Sequence, residues 1–307
     1  MPRVLVLLAA ICFGTTGTAQ ALGAGHASPI AVGAARIALG ALGLHLAAAA
    51  TAPDPTRLTP TAPNPTRPPV LPRTPMMWLA AVGVAVYQVT FFLAVRTTGV
   101  AVGTVVALGS APVITGVFGW AANQGRPGRR WVVATALAVT GLGILTLAAR
   151  SATPVAPVGV LLALGAAASY AIYTVGAKDA LTRGEGAERT MATLFSGGAL
   201  LLAPALVLLD LSWLATPRGL AAAVWLGLVP TALAYVLFAR GLRELSAAEV
   251  STLTLAEPLT ATALGVLVLG ESLRGPALVG ASLLLLGLVV LGMPRREVRT
   301  TLPATSR

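Results

Sequence analysis

Ten runs of apolar residues, each about twenty long, divide this chain, and a helix needs about 20 such residues to cross the hydrocarbon core of a bilayer. The runs lie near 4–24, 28–50, 76–95, 99–122, 130–149, 157–177, 190–209, 218–239, 246–269 and 275–293. Strands of an outer-membrane barrel alternate apolar and polar residues over about 10 positions. These runs are longer and apolar on every face, so they read as helices. The expected fold class is an all-α membrane protein with ten transmembrane helices. Composition agrees: the 307 residues are 56% hydrophobic and only 10% charged, with mean hydropathy +0.84. Soluble domains run near 25% charged. Such a chain has too few charges to cover a soluble enzyme's surface, and it is too apolar for extended disorder.

One cysteine, Cys12, excludes an intrachain disulfide and a cysteine metal cluster. The two histidines, His26 and His45, do not make a metal site by themselves, so neither metal nor cofactor is expected. Ala19-Gln20-Ala21 resembles a signal-peptidase site, but the apolar run from Val4 to about Ala24 is long enough to span. It reads as a retained first helix.

The net charge of +11 would suggest nucleic acid in a soluble chain. Here the cations fall between the apolar runs. Placing the N-terminus in the cytoplasm and alternating puts Arg3, Arg57, Arg67, Arg73, Arg126, Arg129, Arg130, Lys178, Arg183, Arg189, Arg240, Arg243, Arg295, Arg296, Arg299 and Arg307 inside. Arg96, Arg150, Arg218 and Arg274 fall outside, and Arg36 lies within a helix. That bias is the positive-inside pattern. It predicts a multi-pass protein of the cell (inner or plasma) membrane with both termini cytoplasmic, and no nucleic-acid partner. The longest linker, 51–75, carries Thr-Ala-Pro-Asp-Pro-Thr-Arg and then Thr-Ala-Pro-Asn-Pro-Thr-Arg. Its proline density favours an extended surface segment. Residues 294–307 read as a basic cytoplasmic tail.

The chain also repeats. At an offset of 146, Phe92, Ala101, Pro112, Gly119, Val133, Leu137, Gly141, Leu142 and Leu145 fall on Phe238, Ala247, Pro258, Gly265, Val279, Leu283, Gly287, Leu288 and Leu291. Five helices per half is an odd number, so the halves (4–149 and 157–293) must have opposite orientation. Inverted repeats of this kind let secondary transporters expose a midplane site to either side in turn.

Certain stretches resemble the EamA-type family of the drug/metabolite transporter superfamily. They are Phe13-Gly-Thr-Thr-Gly, Ala35-Arg-Ile-Ala-Leu-Gly-Ala-Leu, Ala232-Leu-Ala-Tyr-Val-Leu-Phe-Ala-Arg-Gly-Leu, Leu245-Ser-Ala-Ala-Glu-Val-Ser-Thr-Leu-Thr-Leu-Ala-Glu-Pro and Gly270-Glu-Ser. Where that family usually has Trp-Gly in the first helix, this chain has Phe13-Gly14. The resemblance implies two five-helix repeats around a central cavity, lined by helices 1–4 and 6–9 with helices 5 and 10 at the edge. It also implies export of amino acids, other metabolites or toxic compounds.

Glu257 stands about eleven residues from either end of the ninth run. An ionised carboxylate there costs ~2.5–3.5 kcal/mol on insertion scales. It must face a cavity or a partner, or stay protonated; proton coupling and a fixed helix–helix hydrogen bond are both open. Thr254 and Thr260 extend the same face. Arg36, deep in the second run, is either a fixed charge for a substrate carboxylate or a structural contact. Whether it meets Glu257 is not legible. Pro112, Pro204, Pro230 and Pro258 interrupt helices, and each leaves a carbonyl one turn earlier without its N–H partner. Pro112, Pro230 and Pro258 are therefore hinge or kink candidates. Tyr87, Gln88, Tyr170, Tyr173 and Tyr235 are further cavity candidates, since buried hydroxyls and amides need partners. Trp78, Trp131 and Trp213, near helix ends, read as interface anchors. Gly141, Gly143, Gly280 and Gly287 permit close packing, within the chain or in a weak homodimer.

There is no Walker A sequence, no His-Glu-x-x-His and no Gly-x-Ser-x-Gly elbow. The expected protein is not an enzyme but a secondary transporter of a small-molecule substrate, working by alternating access. Export of amino-acid-like or drug-like solutes, with or without a coupled proton, is the leading reading. A channel or uniporter and a lipid flippase are the alternatives.

Overall fold

The computed structural model describes residues 1–51, 71–148, 156–270 and 275–293. Most of the proline-rich linker and all of the basic tail lie outside the described residues. So do Arg57, Arg67, Arg150, Arg274, Arg295, Arg296, Arg299 and Arg307.

Ten helices long and apolar enough to cross a membrane make up the described chain. They are α1 (Pro2–Gly23), α2 (Pro29–Ala50), α3 (Pro75–Thr98), α4 (Val100–Ala121) and α5 (Arg129–Ala148). The second half holds α6 (Pro157–Thr182), α7 (Ala187–Leu208), α8 (Pro217–Glu244), α9 (Ala247–Leu269) and α10 (Gly275–Gly292). Several of them outrun their apolar stretch. α6 continues past Lys178, and α8 past Arg240, because a span ends where hydrophobicity ends but a helix ends where its backbone is capped.

The helix starts follow from local chemistry. Proline opens α1, α2, α3, α6 and α8, where its missing N–H costs nothing. The Thr74 hydroxyl accepts from Met77 N–H at 3.2 Å to start α3, and Thr216 accepts from Gly219 N–H at 3.0 Å to start α8. Ser246 and Glu249 form a reciprocal capping box at the start of α9. Between α7 and α8, Asp210 accepts from the N–H and hydroxyl of Ser212, at 2.8 and 2.9 Å. Those bonds hold its carboxyl below the usual carboxylate range.

The two halves are related by an inverted two-fold, visible where α5 crosses α10. A Cβ built on Gly141 would stand 2.6 Å from the Gly280 carbonyl and 2.8 Å from Leu284 Cα. A Cβ on Gly287 would stand 2.6 Å from the Ala134 carbonyl and 3.0 Å from Ala138 Cβ. Adding 146 to 141, 134 and 138 gives 287, 280 and 284, so each contact is the image of the other. Residues rising along α5 meet residues falling along α10, so the two equivalent helices run antiparallel. That is the geometry of a two-fold lying across the helix axes. These glycines pack within the chain; nothing lies within 4 Å of a Cβ on Gly143.

Small side chains set how closely the helices approach. Alanines dominate the fully buried positions, among them Ala9, Ala10, Ala80, Ala81, Ala163, Ala166, Ala234 and Ala239. Lipid-facing residues such as Leu161 and Leu267, 67% and 80% exposed, project outward. In a bilayer the association of such helices rests on packing and interhelical hydrogen bonds rather than on apolar burial.

We call the face where α1, α3, α5, α7 and α9 begin the N-face, and the opposite one the far face. Among described cations, Arg3, Arg73, Arg126, Arg129, Arg130, Lys178, Arg183, Arg189, Arg240 and Arg243 lie towards the N-face. Arg96 and Arg218 lie towards the far face.

Candidate functional site

All four tyrosines of the chain gather in one cluster at the centre of the bundle, contributed by α3, α6 and α8. Tyr170 and Tyr173, three residues apart on α6, have ring centroids 5.1 Å apart. Tyr87 of α3 lies 6.4 Å from Tyr170 and 6.5 Å from Tyr173. The Tyr173 and Tyr235 hydroxyls share a hydrogen bond of 3.1 Å, and Tyr170 shares one of 3.2 Å with Thr254. Phe13 and Phe195 flank the Tyr235 ring at 5.0 and 4.3 Å. Nothing in the local sequence pattern marks either phenylalanine as a site residue, although Phe13 stands where the resembled family carries tryptophan.

Arg36 and Glu257 lie against this cluster. The Arg36 guanidinium acts electrostatically on Glu257, Tyr87 and Tyr235. No ion pair within 4 Å joins Arg36 to Glu257, and Arg36 Nε has no hydrogen-bond partner. Both residues retain some accessible surface although they sit mid-helix. Gln88 is 3% exposed, its Nε2 is likewise unpartnered, and its amide carbon lies 3.7 Å from a Cβ built on Gly33, one turn before Arg36. Arg36 and Glu257 therefore share the region of Tyr87 and Tyr235, with Gln88 beside α2 one turn away.

The backbone around Glu257 is set by the proline after it. Pro258 has no N–H to offer the Thr254 carbonyl, and Glu257 N–H takes that carbonyl instead. The result is a short 3₁₀ turn over Thr254–Ala256, after which Glu257–Leu269 restarts as α-helix. Glu257 thus occupies the first turn of a half-helix, where the N-terminal peptide dipoles favour negative charge. The Thr254 carbonyl is satisfied and is not an open ligand. Gly14 of α1 lets the chains meet here: a Cβ on it would lie 2.8 Å from the Glu257 carbonyl and 2.5 Å from Thr260 Cβ.

The other two hinge candidates resolve differently. Pro230 lies in a π-helical segment, Leu228–Leu233, inside α8. The carbonyl it cannot serve is that of Leu226, and the Thr231 hydroxyl donates to it at 2.7 Å. α4 runs through Pro112 without a break, and two residues before it the Ser110 hydroxyl donates to the Val106 carbonyl.

Just before the 3₁₀ turn, α9 is tied to three helices in succession. Thr115 of α4 donates to Ser251 at 3.5 Å, and Thr135 of α5 shares a 2.8 Å bond with Thr252. Tyr170 of α6 meets Thr254, as described above. Trp131, expected as an interface anchor, instead donates its indole N–H to the Ala248 carbonyl at 2.9 Å. Periodicity could not separate these hydroxyls from those that bond only to their own helix.

Large apolar side chains pack the half of the bundle between this site and the N-face. Val6, Leu44, Met191, Leu194, Phe195, Phe238, Leu242 and Leu253 are fully buried there. Polar ties bridge its helices as well. Lys178 Nζ donates to the Leu242 and Arg243 carbonyls at 2.8 and 3.0 Å, and Arg240 pairs with Glu188 at 2.5 Å. Gln124 Nε2 donates to the Val175 carbonyl at 3.0 Å. Towards the far face the corresponding tie is Trp225 Nε1 to Thr15 Oγ1 at 3.0 Å.

Residues 2–147 and 157–293 each match the profile of a family described as "EamA-like transporter family". The chain is 43% identical over 263 residues to "Uncharacterized transporter YwfM" of Bacillus subtilis (strain 168), covering 86% of this chain and 84% of that protein. A solved structure titled "Crystal structure of protein" superposes with TM-score 0.78 at 20% identity, covering 94% of this chain and 95% of that one. At that identity the likeness shows a shared fold.

Proposed function

Because the chain belongs to the EamA-like transporter family, and is a multi-pass membrane transporter, we propose that it is a secondary exporter of small amino-acid-like metabolites. The observation that carries the substrate class is the pair Arg36 and Glu257: opposite charges in one central space, not paired with each other. A solute bearing both a carboxylate and an ammonium group satisfies each of them. The tyrosine rings give its apolar part a surface to rest on. The positive-inside bias supports a cytoplasmic Arg-rich N-face, with both termini on that side of the cell membrane.

In this reading the packed N-face half must part when the site turns towards the cytoplasm. Transport requires the N-face ties to open and the far-face halves to close, one repeat rocking against the other. Glu257 is the candidate for exchanging a proton during that cycle, since a carboxylate at midplane without an ion-pair partner is costly.

The test is uptake into inverted membrane vesicles across a panel of amino acids and dyes, with and without an imposed pH gradient. Saturable uptake of zwitterionic solutes that responds to the gradient is expected. Saturable uptake indifferent to the gradient removes the proton from the cycle. Flux without saturation or counterflow replaces the carrier with a channel.

A further inference from the structure

At the N-face, well away from the central site, a cavity of about 560 Å³ opens between the start of α1, the α4–α5 connection and the start of α9. Four arginines line it, Arg3, Arg126, Arg129 and Arg130, against one acidic residue, Glu249. Four positive charges less one negative leaves three uncompensated.

Glu249 is already engaged. It closes the capping box with Ser246 and lies 3.8 Å from Arg3. Arg130 donates to the Val290 and Leu291 carbonyls at 2.6 and 2.9 Å and also to the Met293 carbonyl; all are neutral partners, so its charge stands. Arg126 rests over the Trp120 ring at 4.8 Å, again without neutralisation. Arg3 Nε is buried and has no hydrogen-bond partner. α1, α5 and α9 all begin at this cavity, and the positive ends of their peptide dipoles add to the guanidinium field.

We propose that this cavity binds a phosphate-bearing anion, with the headgroup of an anionic phospholipid as its first occupant. Planar guanidinium forks suit phosphate oxygens, which accept two parallel hydrogen bonds. The flank of the cavity is lipid-facing: Val117, Trp120, Val132 and Val133 on α4 and α5 are 49–54% exposed. Acyl chains lying along these side chains bring a headgroup phosphate to the cavity mouth. Basic pockets between spanning helices are a recurrent headgroup site. The site would tie the starts of α1, α5 and α9 to the lipid composition of one leaflet.

The test uses the full chain purified in a non-ionic detergent and titrated with dioleoyl phosphatidylglycerol or dioleoyl phosphatidylcholine, read by native mass spectrometry. We expect phosphatidylglycerol to bind at least ten times tighter than phosphatidylcholine. Arg126→Gln with Arg129→Gln, on the exposed connection, lowers that preference at least fivefold. Arg126→Lys with Arg129→Lys retains most of it, and Arg218→Gln on the far face leaves it unchanged. Arg3→Gln alone gives a second, independent loss should the double variant fold poorly. Competition by glycerol 3-phosphate or inorganic phosphate would assign the site to a soluble phosphate anion; insensitivity to both would assign it to the lipid. Equal binding of the two lipids by the wild type overturns the proposal, as does wild-type phosphatidylglycerol binding in both glutamine variants.

Discussion

Arg36 and Glu257, one from each repeat, act on each other electrostatically across the centre of the bundle without forming an ion pair. The distinction has an energetic consequence. Breaking a buried salt bridge strands its partner and costs about 3–5 kcal/mol. Here neither residue depends on direct contact with the other. Arg36→Ala and Glu257→Gln should therefore leave the melting temperature in detergent near the wild-type value while disabling transport. A fall in stability of the size of a broken salt bridge would show that the two pair.

The two substitutions should also separate kinetically. A charged hydrogen bond to substrate is worth ~1.5–3 kcal/mol, which corresponds to roughly ten- to hundredfold in affinity. Arg36→Ala is expected to raise KM by about that factor for solutes with a carboxylate and little for solutes without one. Glu257→Gln is expected to abolish the response to an imposed pH gradient. If Glu257→Gln keeps full, gradient-dependent uptake, the proton does not travel through this residue.

The inverted two-fold predicts paired effects at Gly141 and Gly287. Alanine at either position puts its Cβ 2.6 Å from a carbonyl of the facing helix, and overpacking of this kind costs ~1–3 kcal/mol. The gain in helix propensity, about 1 kcal/mol, does not offset the upper part of that range. Gly141→Ala and Gly287→Ala should lower the melting temperature by similar amounts, since each is the other's image. Gly143→Ala, with nothing within 4 Å, should be neutral or slightly stabilising. Equal behaviour of all three would break the symmetry argument.

The parts of this fold that depend on one stretch of chain were legible in the sequence. A run of twenty apolar residues must be a span whatever surrounds it, and a charge inside such a run, as at Arg36 or Glu257, stands out for the same reason. What depends on distant segments meeting was not legible. Four tyrosines on three helices could be named one by one, but their gathering follows from how α3, α6 and α8 cross. Thr135 and Thr252 look like any hydroxyl residues in an apolar helix until α5 and α9 are placed side by side. Arg130 counted only as one more cation of the N-face, yet it holds the end of α10 through the Val290 and Leu291 carbonyls. Trp131 is a related case. Position near a helix end suggests lipid headgroups, while its indole N–H is taken by α9.

The Tyr173–Tyr235 bond can be measured by a double-mutant cycle. A neutral hydrogen bond contributes ~0.5–1.5 kcal/mol net, and residues in contact show coupling of that order. Tyr173→Phe and Tyr235→Phe should each destabilise slightly, and the double variant should lose less than the sum. Additive losses in thermal melts would mean that the hydroxyls do not bond in the membrane-embedded protein.

Thr231 presents the sharpest local case, because its role exists only through Pro230. The proline removes the N–H that would serve the Leu226 carbonyl, and the Thr231 hydroxyl replaces it at 2.7 Å. Thr231→Val keeps the shape and removes the donor, leaving a buried carbonyl unserved at about 1–3 kcal/mol. Pro230→Ala restores an N–H and should draw the π segment towards regular helix. In that background Thr231→Val has nothing left to strand, so its cost should fall towards zero. The four proteins, compared by thermal melting, give the coupling directly. If Thr231→Val costs as much beside Ala as beside Pro at position 230, the hydroxyl is not substituting for the missing N–H. The π segment would then need another cause.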